Sequence, residues 1–222
     1  MLELLCPEYR FHRLTSITPE WLEQEAVDRM ILDVDNTFLA KGSTEPDPEH
    51  LAWLEGIRRA GIQVALVTNN GGERIHALSE KTGVPATVWA AKPSPLAFWR
   101  ACCKMKDFYG APERRPRERT LKGKARRMAA KLTGSARGRK LYPYSRKRST
   151  LVVGDQLFTD VLGAHLYGFR AAWIKPLPGK DFIVTSFMRC WEDVVVRQLQ
   201  EAGRLPAPLD GPETLTEEGP EH

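Results

Sequence analysis

The chain has 222 residues, 42% of them hydrophobic and 27% charged, which suits one soluble α/β domain with a sizeable core. No run approaches the ~18 apolar residues that a membrane span needs. The start, Met1-Leu2-Glu3-Leu4-Leu5-Cys6-Pro7, lacks the basic flank and long apolar core of a signal peptide, so a cytoplasmic protein is expected. The net charge of +5 hides a division: Lys104 to Arg148 holds 17 Lys/Arg against 3 Asp/Glu, while the remainder holds 16 against 25.

Residues 2–28 mix apolar and charged positions, and Ser16-Ile17-Thr18-Pro19-Glu20 resembles a helix start with proline in the first turn. Met30-Ile31-Leu32 is a short apolar run that ends at Asp33-Val34-Asp35-Asn36-Thr37, which reads as a buried strand entering a loop. Side chains alternate along a strand, so Asp33 and Asp35 are expected on one side at its end. An EF-hand reading fails, because the required glycine and glutamate positions are Phe38 and Thr44.

A helix is expected from Pro48 to Ala60, closed by Gly61, and a second strand from Ile62 to Val67 that ends in Thr68-Asn69-Asn70-Gly71-Gly72. Glu73 to Lys81 reads as a helix. Ala86 to Ala91 is a third strand candidate delivering Lys92-Pro93, with a helix from about Pro95 to Phe108 behind it. Past the basic segment, Thr150 to Val153 is a fourth strand ending in Gly154-Asp155-Gln156-Leu157-Phe158-Thr159-Asp160. A short helix at Ala164–Tyr167, a fifth strand at Ala171–Ile174 and a long amphipathic helix from about Phe182 to Ala202 complete the expected domain, residues 1–203. Residues 204–222 carry four prolines and five acids with little apolar weight, and are expected to be a disordered tail.

Strands alternating with helices imply a Rossmann-like, doubly wound parallel sheet, whose ligands bind beyond the carboxyl ends of the strands. Four such ends carry polar groups: Asp33/Asp35, Thr68/Asn69, Lys92 and Asp155/Asp160. Asp33, Asp35 and Asp155 suit Mg²⁺, a hard cation that prefers oxygen. Thr68 and the amides of the turn behind it offer donors to an anion, and Lys92 adds a positive charge. Taken singly, Thr68 reads equally well as a helix cap, Lys92 as a solvated lysine and the last two acids as turn formers. Their occurrence at successive strand ends favours phosphoryl transfer to a carboxylate. The cysteines Cys6, Cys102, Cys103 and Cys190 form no C-x-x-C pair, and the histidines show no ligand spacing.

Asp33-Val34-Asp35-Asn36-Thr37, Thr68, Lys92-Pro93 and Gly154-Asp155 with Asp160 resemble, in order, the four signatures of the haloacid dehalogenase (HAD) phosphatase superfamily. Met1-Leu2-x-Leu4-Leu5-x-Pro7, Asn69-Asn70, the run from Gly154 to Asp160 and Thr185-x-Phe187-x-Arg189 are similar to its YqeG-like branch, which includes phosphatidylglycerophosphate phosphatases. The resemblance implies that Asp33 is a nucleophile forming an aspartyl phosphate and Asp35 the acid/base. It implies that Thr68, Asn69 and Lys92 bind the phosphoryl group. Mg²⁺ would sit on Asp33, the Asp35 carbonyl and Asp155, with Asp160 supporting.

Only 34 residues separate Asp33 from Thr68 and 23 separate Thr68 from Lys92, which leaves no room for a large cap domain and suits a phosphate on something large, such as an anionic phospholipid or a macromolecule. The chain departs from the branch between Lys92 and Asp155, where a basic insert at about 109–148 makes the interval longer by roughly 30 residues than the one helix and short loop that the branch needs. The insert reads as a membrane tether, a solvated loop or a nucleic-acid contact, and a helix leaving Lys92 would carry it to the end of the sheet away from the acids. The expected activity is dephosphorylation of phosphatidylglycerophosphate, with peripheral contact at the inner membrane face. Alternatives are the same chemistry on a soluble or nucleic-acid phosphate, and an RNA- or partner-binding protein on this fold.

Overall fold

A computed structural model describes residues 2–40, 42–110, 149–178 and 183–211, with the backbone alone for 183–190. Six parallel strands form one sheet in the order β1-β6-β5-β2-β3-β4: β1 Tyr9–Phe11, β2 Arg29–Asp33, β3 Gln63–Val67, β4 Ala86–Thr87, β5 Thr150–Gly154 and β6 Arg170–Ile174. The helices are α1 Pro19–Gln24, α2 Pro48–Arg59, α3 Glu73–Thr82, α4 Pro95–Tyr109, α5 Leu162–Tyr167 and α6 Ile183–Glu201.

The central strands are buried on both faces because their residues alternate between two cores. Met30 and Leu32 of β2, Val64 and Leu66 of β3, and Leu151 and Val153 of β5 join one core, with Leu22 of α1, Leu54 and Ile57 of α2, and Ile75 and Leu78 of α3. Ile31, Ala65, Val67 and Val152 enter the other, against Phe98, Ala101 and Met105 of α4 and Ala164 and Tyr167 of α5. Val195 and Val196 of α6 pack on this second core. The sheet is thus doubly wound, as the sequence predicts. Among the described residues, only α2 and β3 with their loops fill the interval from Asp33 to Thr68, and α3 and β4 that from Thr68 to Lys92.

Local chemistry sets the helix ends. Thr18 accepts from the Trp21 amide at 3.2 Å with Pro19 in the first turn of α1, and Asp47 accepts from the Glu49 amide at 2.8 Å before Pro48 of α2. Beyond α2, Gly61 takes φ 79°, a conformation that glycine adopts without steric cost.

Three expectations need correction. The strand expected from Ala86 to Ala91 is confined to Ala86–Thr87, because Trp89 (φ 47°) and Ala91 (φ 60°) turn the chain out of the ladder. β1 went unforeseen, being three residues with no apolar run; Trp21 fixes it by edge-to-face contact with Tyr9 and Phe11, at 4.9 and 5.0 Å between ring centres. The tail expected to be disordered from residue 204 is instead folded back through residue 211. The Leu209 amide donates to the Arg10 carbonyl at 2.9 Å, and the Asp210 carboxylate accepts from the His12 and Arg13 amides at 2.8–3.0 Å. These bonds satisfy edge-strand groups that composition does not register. Residues 212–222 and the insert from 111 to 148 lie outside the described residues.

The ends of that insert are defined. At the close of α4 the Tyr109 hydroxyl donates to the Val64 carbonyl at 3.0 Å, and the Ser149 carbonyl accepts from the Asp28 and Arg29 amides. Both ends therefore stand at the amino-terminal edge of β2 and β3, the end of the sheet opposite Asp33.

Candidate active site

From β2 the chain steps to β3 on one side, and from β5 to β6 on the other, so the crevice beyond β2 and β5 is the switch point where α/β sheets bind ligands. Asp33 ends β2 and Asp155 follows β5 directly. A wide helical turn, Leu157–Val161, carries Asp160 into the same crevice. Gly154 permits this approach, since a Cβ there would lie 2.3 Å from the Asp160 Cγ.

The carboxylates of Asp33, Asp155 and Asp160 are buried with their ligand atoms within 4.8 Å of one another. Lys92, also buried, donates to Asp33 at 2.5 Å and to Asp160 at 2.7 Å. Burial pushes the Asp33 carboxyl up to about 7, against the pull of Lys92 and with help from Asp160 and Asp35. Burial likewise raises Asp155 well above the ordinary carboxylate range, and the charges of Asp33 and Asp160 add to it. Burial works to neutralise Lys92, but Asp160 and Asp33 outweigh it and keep the ammonium charged. Three buried carboxylates around one ammonium leave an excess of negative charge on hard oxygen donors, and a divalent cation fits that donor set.

Asp35 faces other partners. Its Oδ2 accepts from Thr68 Oγ1 and from Asn70 Nδ2, each at 2.9 Å, and its Oδ1 pairs with the Arg74 guanidinium. Burial would raise the Asp35 pKa, but hydrogen bonds from Arg74, Asn70 and Thr68 hold it below the ordinary value. The two aspartates expected on one side therefore divide between a buried acidic cluster and a ring of donors at the rim. The Asp35 carboxylate is outside the three-carboxylate cluster, which leaves its backbone carbonyl for the metal contact that the resemblance implies.

Thr68 is not a helix cap. Its hydroxyl also accepts from the Asn70 amide at 2.9 Å, whereas the residue before α3 is Gly72, which has no side chain to cap it. Asn69, expected at the phosphate, has its side chain engaged elsewhere. Its Oδ1 accepts from the Lys92 amide at 2.7 Å and its Nδ2 donates to the Lys92 carbonyl at 3.2 Å, so it positions the Lys92 backbone.

Sequence reasoning missed Arg74 and Glu192. Glu192 of α6 accepts from the Phe158 amide at 3.2 Å and lies near enough to Asp155 to contribute to its rise. A signal for Arg74 existed: a cation in the first turn of a helix opposes the macrodipole and marks a local conflict.

The HAD-hydrolase-like family model matches residues 89–176. Over 199 residues the chain is 28% identical to a probable phosphatase, YqeG, of Bacillus subtilis (strain 168), covering 90% of this chain and 94% of that protein. Among solved structures it is similar to the cobalt-bound deoxy-D-mannose-octulosonate 8-phosphate phosphatase of Haemophilus influenzae, at 15% identity and TM-score 0.39, covering 81% of this chain and 91% of that one. A HAD superfamily (subfamily III A) hydrolase from Legionella pneumophila matches at 16% identity and TM-score 0.38, covering 83% and 90%. The acidic cluster and the sequence matches support a phosphatase of the HAD superfamily, an enzyme that hydrolyses phosphomonoesters. Over nine-tenths of its length the chain is similar to that YqeG phosphatase.

Proposed function

We propose that this phosphatase converts phosphatidylglycerophosphate to phosphatidylglycerol, with Mg²⁺, through an aspartyl phosphate on Asp33, at the cytoplasmic face of a membrane. The observation that carries the chemistry is the meeting of Asp33, Asp155, Asp160 and Lys92 beside an Asp35 bound to Thr68. An Asp33 carboxylate oxygen bonds to phosphorus as the ester P–O bond breaks, and Asp35 supplies the proton that the departing oxygen takes. Asp35 then removes a proton from water, whose oxygen bonds to phosphorus and releases Asp33 and inorganic phosphate. In the ligand-free arrangement three donors hold Asp35 ionised, so proton delivery follows a loosening of that set. Thr68 and the amides of the turn before α3 hold the phosphoryl oxygens, and Lys92 keeps Asp33 aimed. Mg²⁺ on Asp33, Asp155 and the Asp35 carbonyl, with Asp160 behind, would neutralise charge on the phosphoryl group.

Support for a lipid comes from the rim. Trp89, Leu96 and Trp99 are 67%, 57% and 43% exposed, and the Trp89 amide donates to the Asn70 carbonyl beside Asp35. Amphipathic indoles next to an open site suit the interface of a bilayer. At the N-terminus Leu5 is core while Leu4 is exposed, and Trp191 of α6 is exposed; the side chains of Phe182 and Phe187 lie outside the described residues. No helix among the described residues is long and apolar enough to cross a membrane, so contact at the surface is the form the proposal takes.

The test is phosphate release from phosphatidylglycerophosphate in mixed micelles, with Mg²⁺ and with EDTA, beside sugar, nucleotide and RNA-end phosphates. Release from the lipid, lost with EDTA, is expected; release from the soluble or RNA esters alone would overturn the substrate. Asp33→Asn should abolish turnover with an unchanged circular dichroism spectrum, and an active variant would overturn the mechanism.

A further inference from the structure

The rim holds a cation to which the chemistry above gives no contact with the substrate. Arg74 donates through Nη1 to the Ser43 carbonyl at 2.9 Å and through Nη2 to Asp35. Guanidinium carries five N–H donors, and these contacts engage two of them. Its side chain is 22% exposed, against 5% for Lys92, whose ammonium is committed to Asp33 and Asp160. Arg74 thus reaches the mouth of the site, where Lys92 does not.

Its place relative to Asp35 has a consequence for substrate choice. The group that gives a proton to the leaving oxygen sits about 3 Å from it, and a guanidinium bound to that group stands about 3 Å further out. Arg74, held on Asp35, therefore lies within reach of a group about 5–6 Å from the leaving oxygen. A spacer of three carbons between two oxygens spans about 5 Å at bond lengths of about 1.5 Å. Without Arg74, an anion at that distance would meet the Asp35 carboxylate and be repelled. With it, the planar fork can grip phosphate or carboxylate oxygens in a bidentate manner.

We propose that Arg74 is a specificity-determining residue that selects phosphate esters whose leaving group bears a second anionic group, two or three carbons beyond the ester oxygen. A phosphodiester in a lipid headgroup meets that description, and so does a free bisphosphate-type molecule. The inference rests on the assignment of Asp35 to the leaving oxygen and deepens the proposed function without requiring a lipid. Ser43 belongs to the loop between β2 and α2, so the Arg74–Ser43 bond also ties that loop to the recognition point.

The experiment compares kcat/KM for glycerol 3-phosphate, whose leaving group is neutral, with the deacylated headgroup glycerophosphoglycerol phosphate, and runs micellar phosphatidylglycerophosphate beside them. Wild-type protein should prefer the charged soluble ester by about ten- to hundredfold. Arg74→Met should lower turnover of both through Asp35, but should also bring their ratio close to one, mainly by raising KM for the charged ester. Arg74→Lys, which keeps a point charge and loses the fork, should restore part of the ratio. A wild-type ratio near one, no turnover of the charged ester, or an Arg74→Met protein that keeps the wild-type ratio would each overturn the proposal. Preference for the soluble headgroup without turnover of the micellar lipid would retain Arg74 and sink the lipid reading. Lipid turnover with no soluble preference would do the reverse.

Discussion

Gly154 illustrates how one residue governs the site without taking part in the chemistry. Its missing Cβ leaves room for the Asp160 carboxylate, which in turn holds Lys92 at 2.7 Å. In Gly154→Ala the new methyl meets the Asp160 Cγ at 2.3 Å and its Oδ2 at 2.4 Å, the oxygen that the Gln156 amide holds at 3.2 Å. The overlap should cost about 1–3 kcal/mol of stability. It should also lower kcat by more than about tenfold, since a small misplacement of a positioned group is enough. Denaturant titration and phosphate release measure the two effects, and a fully active, equally stable variant would contradict this account. Asn69 acts in the same indirect way, through the backbone of Lys92.

At the scale of elements, the N-terminal 3₁₀ turn, Leu2–Leu5, is joined to α5 by one histidine. His165 Nδ1 lies 2.7 Å from the Leu4 carbonyl and Nε2 lies 3.0 Å from Glu8 Oε2. Burial acts to lower the His165 pKa, but the hydrogen bond and charge of Glu8 and the Leu4 carbonyl raise it above 6.5. A folded-state pKa above the unfolded one means that folding favours the protonated ring. This contribution to stability is complete below about pH 6.5 and is lost as pH rises through the elevated folded value. Melting temperature should therefore fall from pH 6 to pH 8 more in the wild type than in His165→Asn, and parallel curves would refute the linkage. The edge strand β1 depends on comparable ties, with Leu209 on its backbone, Asp210 on the two residues that follow it and Trp21 on its rings.

For the whole molecule, the two ends of the sheet have separate contents. The acidic cluster and Arg74 occupy the carboxyl end, whereas the basic insert leaves and re-enters at the amino end beside Val64 and Asp28. Replacing residues 111–148 with a short Gly/Ser linker should leave kcat on a soluble phosphate ester within about twofold of wild type, because its described flanks, Tyr109 and Ser149, stand at the end of the sheet opposite Asp33. If the insert is a tether, the same variant should lose activity on anionic vesicles, most visibly at low salt. A loss on the soluble ester would show that the insert reaches the site.

The sequence by itself determined the alternation of strands and helices, the doubly wound sheet and the acids at its strand ends. Short continuous apolar runs, proline and glycine at helix boundaries and short motif spacings are local signals, and they need no knowledge of neighbours. Tertiary structure alone decided which polar groups meet. Asp35 was drawn to Thr68, Asn70 and Arg74, Asp160 joined Asp33 and Asp155, and Asn69 turned to Lys92. β1 and the folded start of the tail belong to the same class, since each is stabilised by partners more than 150 positions away, such as Leu209 on Arg10 and β6 beside β1. Hydrogen bonds and ion pairs act over about 3 Å, so a pairing between distant positions exists only once the sheet has brought them together.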